Sequence, residues 1–277
     1  MPLKVVVSIG RYKARARGGF WPAAALTLLL SATASGVRAQ DQSFPEQNPD
    51  QAKQYAACMA LTAAQPQQAY DTASAWIGKK GGPPAEHCQA VALVGLGRYA
   101  EAAQAMQAVA GELAKIDSSK NLAAHLYDQA GQIWILQGDP AQAIAASNAA
   151  LEILPNDVDL VIDRAVALGA AERWWDALDD LNHANQLAPQ RADILVLRAS
   201  AYRYVDSKEL AMADVNQALT LDPKNAEGHL ERGILLFGNG DKNGARADWL
   251  AAIEAAPNTP TAETAQARLE QLDVKAE

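Results

Sequence analysis

Four histidines, two cysteines and a few paired side chains are what this chain offers to chemistry. His87, His125, His183 and His229 never fall into an H-E-x-x-H spacing, so no helix presents two imidazoles and a base to one zinc ion. His125 with Asp128, and Asp179 with His183, can share a helix face, but a lone His–acid pair at that spacing is a local contact. Asp179-Asp180 is a carboxylate pair, and Trp174-Trp175 could stack on a ligand. Residues 78–84 (GKKGGPP) are glycine-rich without the spacing that cradles phosphate, and they read as a loop. Cys58 and Cys88, with His87 beside the second, could hold zinc or bond to each other. There is no G-x-S-x-G, Walker-type loop or G-x-G-x-x-G. The expectation is a protein with no catalytic residues, no cofactor and no metal, and so not an enzyme.

Three arginines and three aspartates keep stricter company. Arg164, Arg198 and Arg232 are 34 residues apart, as are Asp180, Asp214 and Asp248, and each arginine precedes its aspartate by sixteen. One copy upstream, both positions are alanine, Ala130 and Ala146. Arginines in a row would grip an anionic ligand. Partners that are present together and absent together point instead to an ion pair inside each copy, because a binding row does not need the matched acid.

The elements that carry these side chains repeat at the same interval. Pro155, Pro189, Pro223 and Pro257 are 34 apart. So are Ala143, Ala177, Ala211 and Ala245, and likewise Ala150, Ala184, Ala218 and Ala252. A small residue sits near the start of each copy: Gly131, Ala165, Ala199, Gly233. In the copy at 124–157 the pattern predicts a helix A over 124–137, a Gly138-Asp139-Pro140 turn, and a helix B to Leu154, stopped by Pro155. Small residues mark close helix approach, and Tyr127, Ile133, Trp134, Ile144, Leu151 and Leu154 supply apolar stripes. One such unit cannot bury its own apolar face, so units must stack.

This pattern resembles the tetratricopeptide repeat, in four gapless copies at 124–157, 158–191, 192–225 and 226–259. The resemblance implies an all-α, right-handed α-solenoid of about six helix-turn-helix repeats. Upstream, Gly97-Arg98-Tyr99-Ala100-Glu101-Ala102 is similar to the family's inter-helix turn. It phases a unit at 83–116, with Ala90 and Ala102 at small positions and Val109 where the family prefers alanine. A more degenerate unit fits 50–82, with Ala57 and Ala69 at small positions. Residues 117–123 are then an insertion, either extra helix or a loop at Asp117-Ser118-Ser119. Residues 260–277 read as a capping helix and tail, with Thr259 as N-cap and Pro260 in the first turn.

Residues 1–39 read as a secretory signal peptide: a basic stretch (Lys4, Arg11, Lys13, Arg15, Arg17), a short apolar core at 20–30, and Val37 and Ala39 at the −3 and −1 positions. Cleavage after Ala39, a linker at 40–49, and a periplasmic or secreted destination are expected. The apolar core is short for a membrane span, and nothing later resembles one, so no stable membrane insertion is expected after cleavage. The chain has 24 basic and 32 acidic residues, and the leader holds six of the basic ones and no acid, so the exported part carries a net charge of −14. That charge argues against nucleic acid and anionic membrane surfaces as partners. In the family, neighbouring A helices stack side by side, and Cys58 and Cys88 fall on the A helices of the first two units. In an oxidising compartment this implies a Cys58–Cys88 disulfide in preference to zinc.

In the family, helix A lines the concave face, and repeat positions 2, 5, 9, 12 and 13 meet the ligand. The resemblance therefore assigns partner binding to Gln132, Ile135, Ile162, Val166, Ser200, Arg203, Tyr204, Ile234 and Phe237. Position 2 is acidic in three units (Asp159, Asp193, Glu227), which suits a basic partner or simply the helix dipole. Tyr204 and Phe237 either anchor a partner or pack between repeats. The lysine and asparagine clamp that the family uses for acidic C-terminal peptides is absent. The expectation is an exported scaffold that binds a protein or peptide segment. Its rival is a structural or assembly factor acting by self-association, since a homo-oligomer stays open. A further rival is an enzyme or carbohydrate-binding protein using Trp174, Trp175 and Tyr204.

Overall fold

The computed structural model describes residue 44 and residues 49–274. The signal peptide expected at 1–39 lies outside the described residues. Among them are thirteen α-helices and no strand, so the chain is all-α. No helix among them is long and apolar enough to cross a membrane.

The helices pack into two compact units that divide between Asp163 and Arg164. The first unit holds α1 (Pro49–Ala64), α2 (Pro66–Ile77), α3 (Gly82–Gly95), α4 (Tyr99–Leu113), α5 (Lys120–Gln137), α6 (Pro140–Ile153) and the start of α7 (Val158–Ala170). The second continues α7 and adds α8 (Trp174–Leu187), α9 (Ala192–Tyr204), α10 (Lys208–Leu221), α11 (Ala226–Gly238), α12 (Lys242–Ala255) and α13 (Pro260–Val274).

Helix A closes onto helix B through one device. Gly138, Glu172, Asp206 and Gly240 all take the left-handed backbone conformation, with φ of 81°, 58°, 58° and 86°, and they are 34 residues apart. A left-handed residue at this point ends one helix and turns the chain back into the next. After two of these turns an aspartate caps helix B: Asp139 accepts from the Gln142 N–H at 3.1 Å and Asp241 from the Gly244 N–H at 2.8 Å. The alanines that repeat every 34 residues are fully buried, because a larger side chain would hold the paired helices apart.

Two expectations are revised. The segment 117–123 is neither all loop nor all helix: Asp117–Ser119 is a short 3-10 turn, and α5 then starts at Lys120 rather than Ala124. Ala57 faces solvent, and its neighbour Cys58 is the buried residue. Helix α1 buries only Cys58 and Thr62, and Ala57 lies off that buried face. At the other end α13 packs on α11 and α12 through Ala265, Leu269 and Leu272, which close the apolar cluster around Trp249.

Candidate functional site

The A helices place the residues that sequence assigned to binding, but not all of them at a surface. Ile162, Val166 and Ser200 are buried, at 7 %, 4 % and 7 % exposure, which corrects their assignment as partner contacts. Helix α7 is apolar almost all round, and Leu160, Val161, Ala165, Ala167 and Leu168 are buried with Ile162 and Val166; such a helix is enclosed by its neighbours. Ser200 is covered because the Arg203 guanidinium folds back on it, donating to its Oγ at 3.2 Å. Gln132, Ile135, Arg203, Tyr204, Ile234 and Phe237 are half-buried and retain surface.

In the second unit the exposed part of this face is held rigidly. Arg203 donates through Nε and Nη2 to the two carboxylate oxygens of Glu231 at 2.5 and 3.2 Å, and Glu231 is buried at 3 % exposure. The Arg203 guanidinium carbon also lies 4.5 Å from the centre of the Tyr204 ring. The Tyr204 ring also lies flat on Trp174, with centroids 4.0 Å apart and planes 2° from parallel. Burial pushes the Tyr204 hydroxyl above its ordinary pKa despite the pull of Arg203. Phe237 leans on Trp249 at 5.8 Å. Tyr204 and Phe237 thus both pack against a neighbouring ring while keeping part of their surface. Trp175, by contrast, is 67 % exposed.

The repeated arginines lie deeper. Arg164, Arg198 and Arg232 each grip the aspartate sixteen residues on through Nε and Nη2, at 2.7–2.8 Å. Asp180, Asp214 and Asp248 are buried. A third contact was missed: Arg198 Nη1 donates to Asn182 at 3.1 Å and Arg232 Nη1 to Asn216 at 3.3 Å. Each of these asparagines belongs to the preceding repeat. The signal was available, since Asn148, Asn182 and Asn216 are also 34 apart.

In the first unit Gln132 is engaged rather than free: its amide donates to Asp128 at 3.0 Å and to Asp163 at 2.9 Å. Cys58 and Cys88 form a disulfide with Cα atoms 6.3 Å apart, which uses the two thiolates a zinc site would need. His87, the third zinc candidate, is buried beside it. Its Nδ1 pairs with the Tyr55 hydroxyl at 2.8 Å, its Nε2 faces Gln129 Oε1 at 3.4 Å, and burial lowers its pKa to about 4 although Gln129 opposes the shift.

A comparison with curated proteins finds no match. The tetratricopeptide repeat family matches residues 192–225. Among solved structures, a tetratricopeptide repeat protein from Parabacteroides merdae superposes with a TM-score of 0.57 at 17% identity, covering 76% of this chain and 84% of that one. A tetratricopeptide repeat protein of Thermus thermophilus gives 0.54 at 19% identity, over 69% of this chain and 99% of that one. At these identities the likeness is one of fold. Residues 192–225 are one of four in-phase copies of a single pattern, each folded as a helix pair with the same left-handed turn, so the chain carries tetratricopeptide-type repeats over residues 124–259.

Proposed function

We propose that this protein is an exported interaction scaffold that takes a protein or peptide segment against its A-helix faces. The observation that supports this most is the Arg203–Tyr204 edge of the second unit. Its guanidinium is fixed by Glu231 and its ring by Trp174, and half-buried Ile234 and Phe237 lie on the next A helix. Aromatic and arginine side chains held in place lose little freedom on binding and are the usual energetic anchors of interfaces. The Cys58–Cys88 disulfide and the signal-like residues 1–39 support export. The partner best suited to a surface with excess acid is neutral or basic.

The test is crosslinking and capture from the native envelope with the full chain and with Tyr204→Ala, Ile234→Ala and Arg203→Ala variants, each checked by thermal melting. Loss of a specific protein by variants that still fold supports the reading. Unchanged capture by folded variants removes this edge from it. Self-association is the second reading, favoured by the exposure of Trp175, Leu210 and Leu250 on the B helices. A stable oligomer by light scattering, dispersed by Trp175→Ser, would favour it.

A further inference from the structure

One buried carboxylate in the first unit has acids, and no cation, acting on it among the described residues. Asp128, on α5, meets Asp163, on α7, at a single amide group: Gln132 Nε2 donates to Oδ2 of both. The amide has two hydrogens and can serve one oxygen of each acid. Asp128 Oδ1 is then left buried with no hydrogen-bond partner. An unpaired buried carboxylate oxygen is costly, and a second carboxylate beside it makes it more so. A proton on one of the acids answers both problems, because it turns an acceptor with no donor into a donor facing an acceptor.

We propose that Asp128 and Asp163 hold one proton between them, and that this proton latches the first half of α7 to α5 until rising pH removes it. The charged groups acting on Asp128 are Asp163 and Asp159 of α7 and Asp157 of the preceding turn, all acidic. His125, one turn earlier on α5, makes no hydrogen bond to it among the described residues. Burial first, and these acids second, push the Asp128 carboxyl well above the usual aspartate range. A carboxyl that binds its proton more tightly folded than unfolded adds stability below the ordinary aspartate pKa. That contribution is lost as pH rises through the folded value. Ionised, the pair places two like charges on one amide in a poorly screened site, and the α5–α7 contact loosens.

The experiment is a carbon-13 NMR titration of the aspartate carboxyls in the full chain, with thermal melts of wild type, Asp128→Asn and Asp163→Asn. The pair is expected to show one titration step above the other aspartates, read at the Asp128 carboxyl carbon. Relative to Asp128→Asn, the wild-type Tm is expected to fall by a few degrees as pH rises above the ordinary aspartate range. Asp128→Asn removes the raised carboxyl and should flatten that fall, whereas Asp163→Asn removes only its acidic neighbour and should reduce it. Titration of Asp128 together with exposed aspartates, or an unchanged pH dependence in both variants, overturns the proposal. If one variant fails to fold, the other and the wild-type titration still decide.

Discussion

Gly233 lies directly beneath the indole of Trp249, so a Cβ on residue 233 would sit 2.6 Å from the ring's Cδ1. The indole is 1 % exposed and has no room to retreat. One repeat earlier the same two positions hold Ala199 and Val215. Gly233→Ala should therefore destabilise the protein by about 1–3 kcal/mol, the usual cost of overpacking. Combined with Trp249→Val it recreates the neighbour's pair and should cost less than the two single changes added. A urea double-mutant cycle measures this, and additive effects would show that the contact does not govern the site.

Arg198 is the most enclosed of the repeated arginines, with 14% side-chain exposure against 29% for Arg164 and Arg232. Arg198→Ala strands Asp214 and should cost about 3 kcal/mol, more than Arg164→Ala or Arg232→Ala. Coupling between Arg198→Ala and Asp214→Ala in thermal unfolding checks the pair. Partner capture should persist wherever the variant remains folded.

Glu172 and Asp206 occupy left-handed positions that glycine fills at 138 and 240. That conformation costs a residue with a Cβ roughly 1–2 kcal/mol. Glu172→Gly should raise stability despite the greater freedom glycine gives the unfolded chain. A Tm below wild type would mean that the Glu172 side chain contributes more than the backbone strain takes away.

His87 gives the first unit an acid-side dependence opposite in sign to that of the aspartate pair. Its folded pKa of about 4 lies below the ordinary 6.5, so the unfolded chain takes up the proton first. Stability is complete above about pH 6.5 and is lost as pH falls towards about 4, by up to about 3 kcal/mol. His87→Gln keeps a polar group for Tyr55 and should flatten this limb of a Tm-against-pH curve. An equally steep limb in the variant would assign the loss to other groups.

The helix pairs were readable because small residues, turns and prolines recur at one interval, and recurrence averages away the ambiguity of any single helix. The arginine and aspartate positions were readable for the same reason. Asp128 and Asp163 were not, because their meeting joins different positions of two repeats and occurs once. The burial of Ile162, Val166 and Ser200 was also hidden, since exposure there depends on how neighbouring side chains such as Arg203 fold over them. Ala57 misled because its helix buries only Cys58 and Thr62, and Ala57 lies off that buried face.

The arginine contacts also bear on how such a chain can change length. Each middle repeat carries its own plug and its own socket: 158–191 has Arg164 and Asn182, and 192–225 has Arg198 and Asn216. The copies at the edges are one-sided. In sequence, the repeat at 124–157 has Asn148 at the asparagine position but Ala130 for a plug, while 226–259 keeps Arg232 but has Leu250 where the asparagine would be. A duplicated or deleted middle repeat would leave every arginine with an aspartate ahead of it and an asparagine behind. The array is thus built to grow or shrink in whole units of 34, and a cut at any other interval would strand a charge.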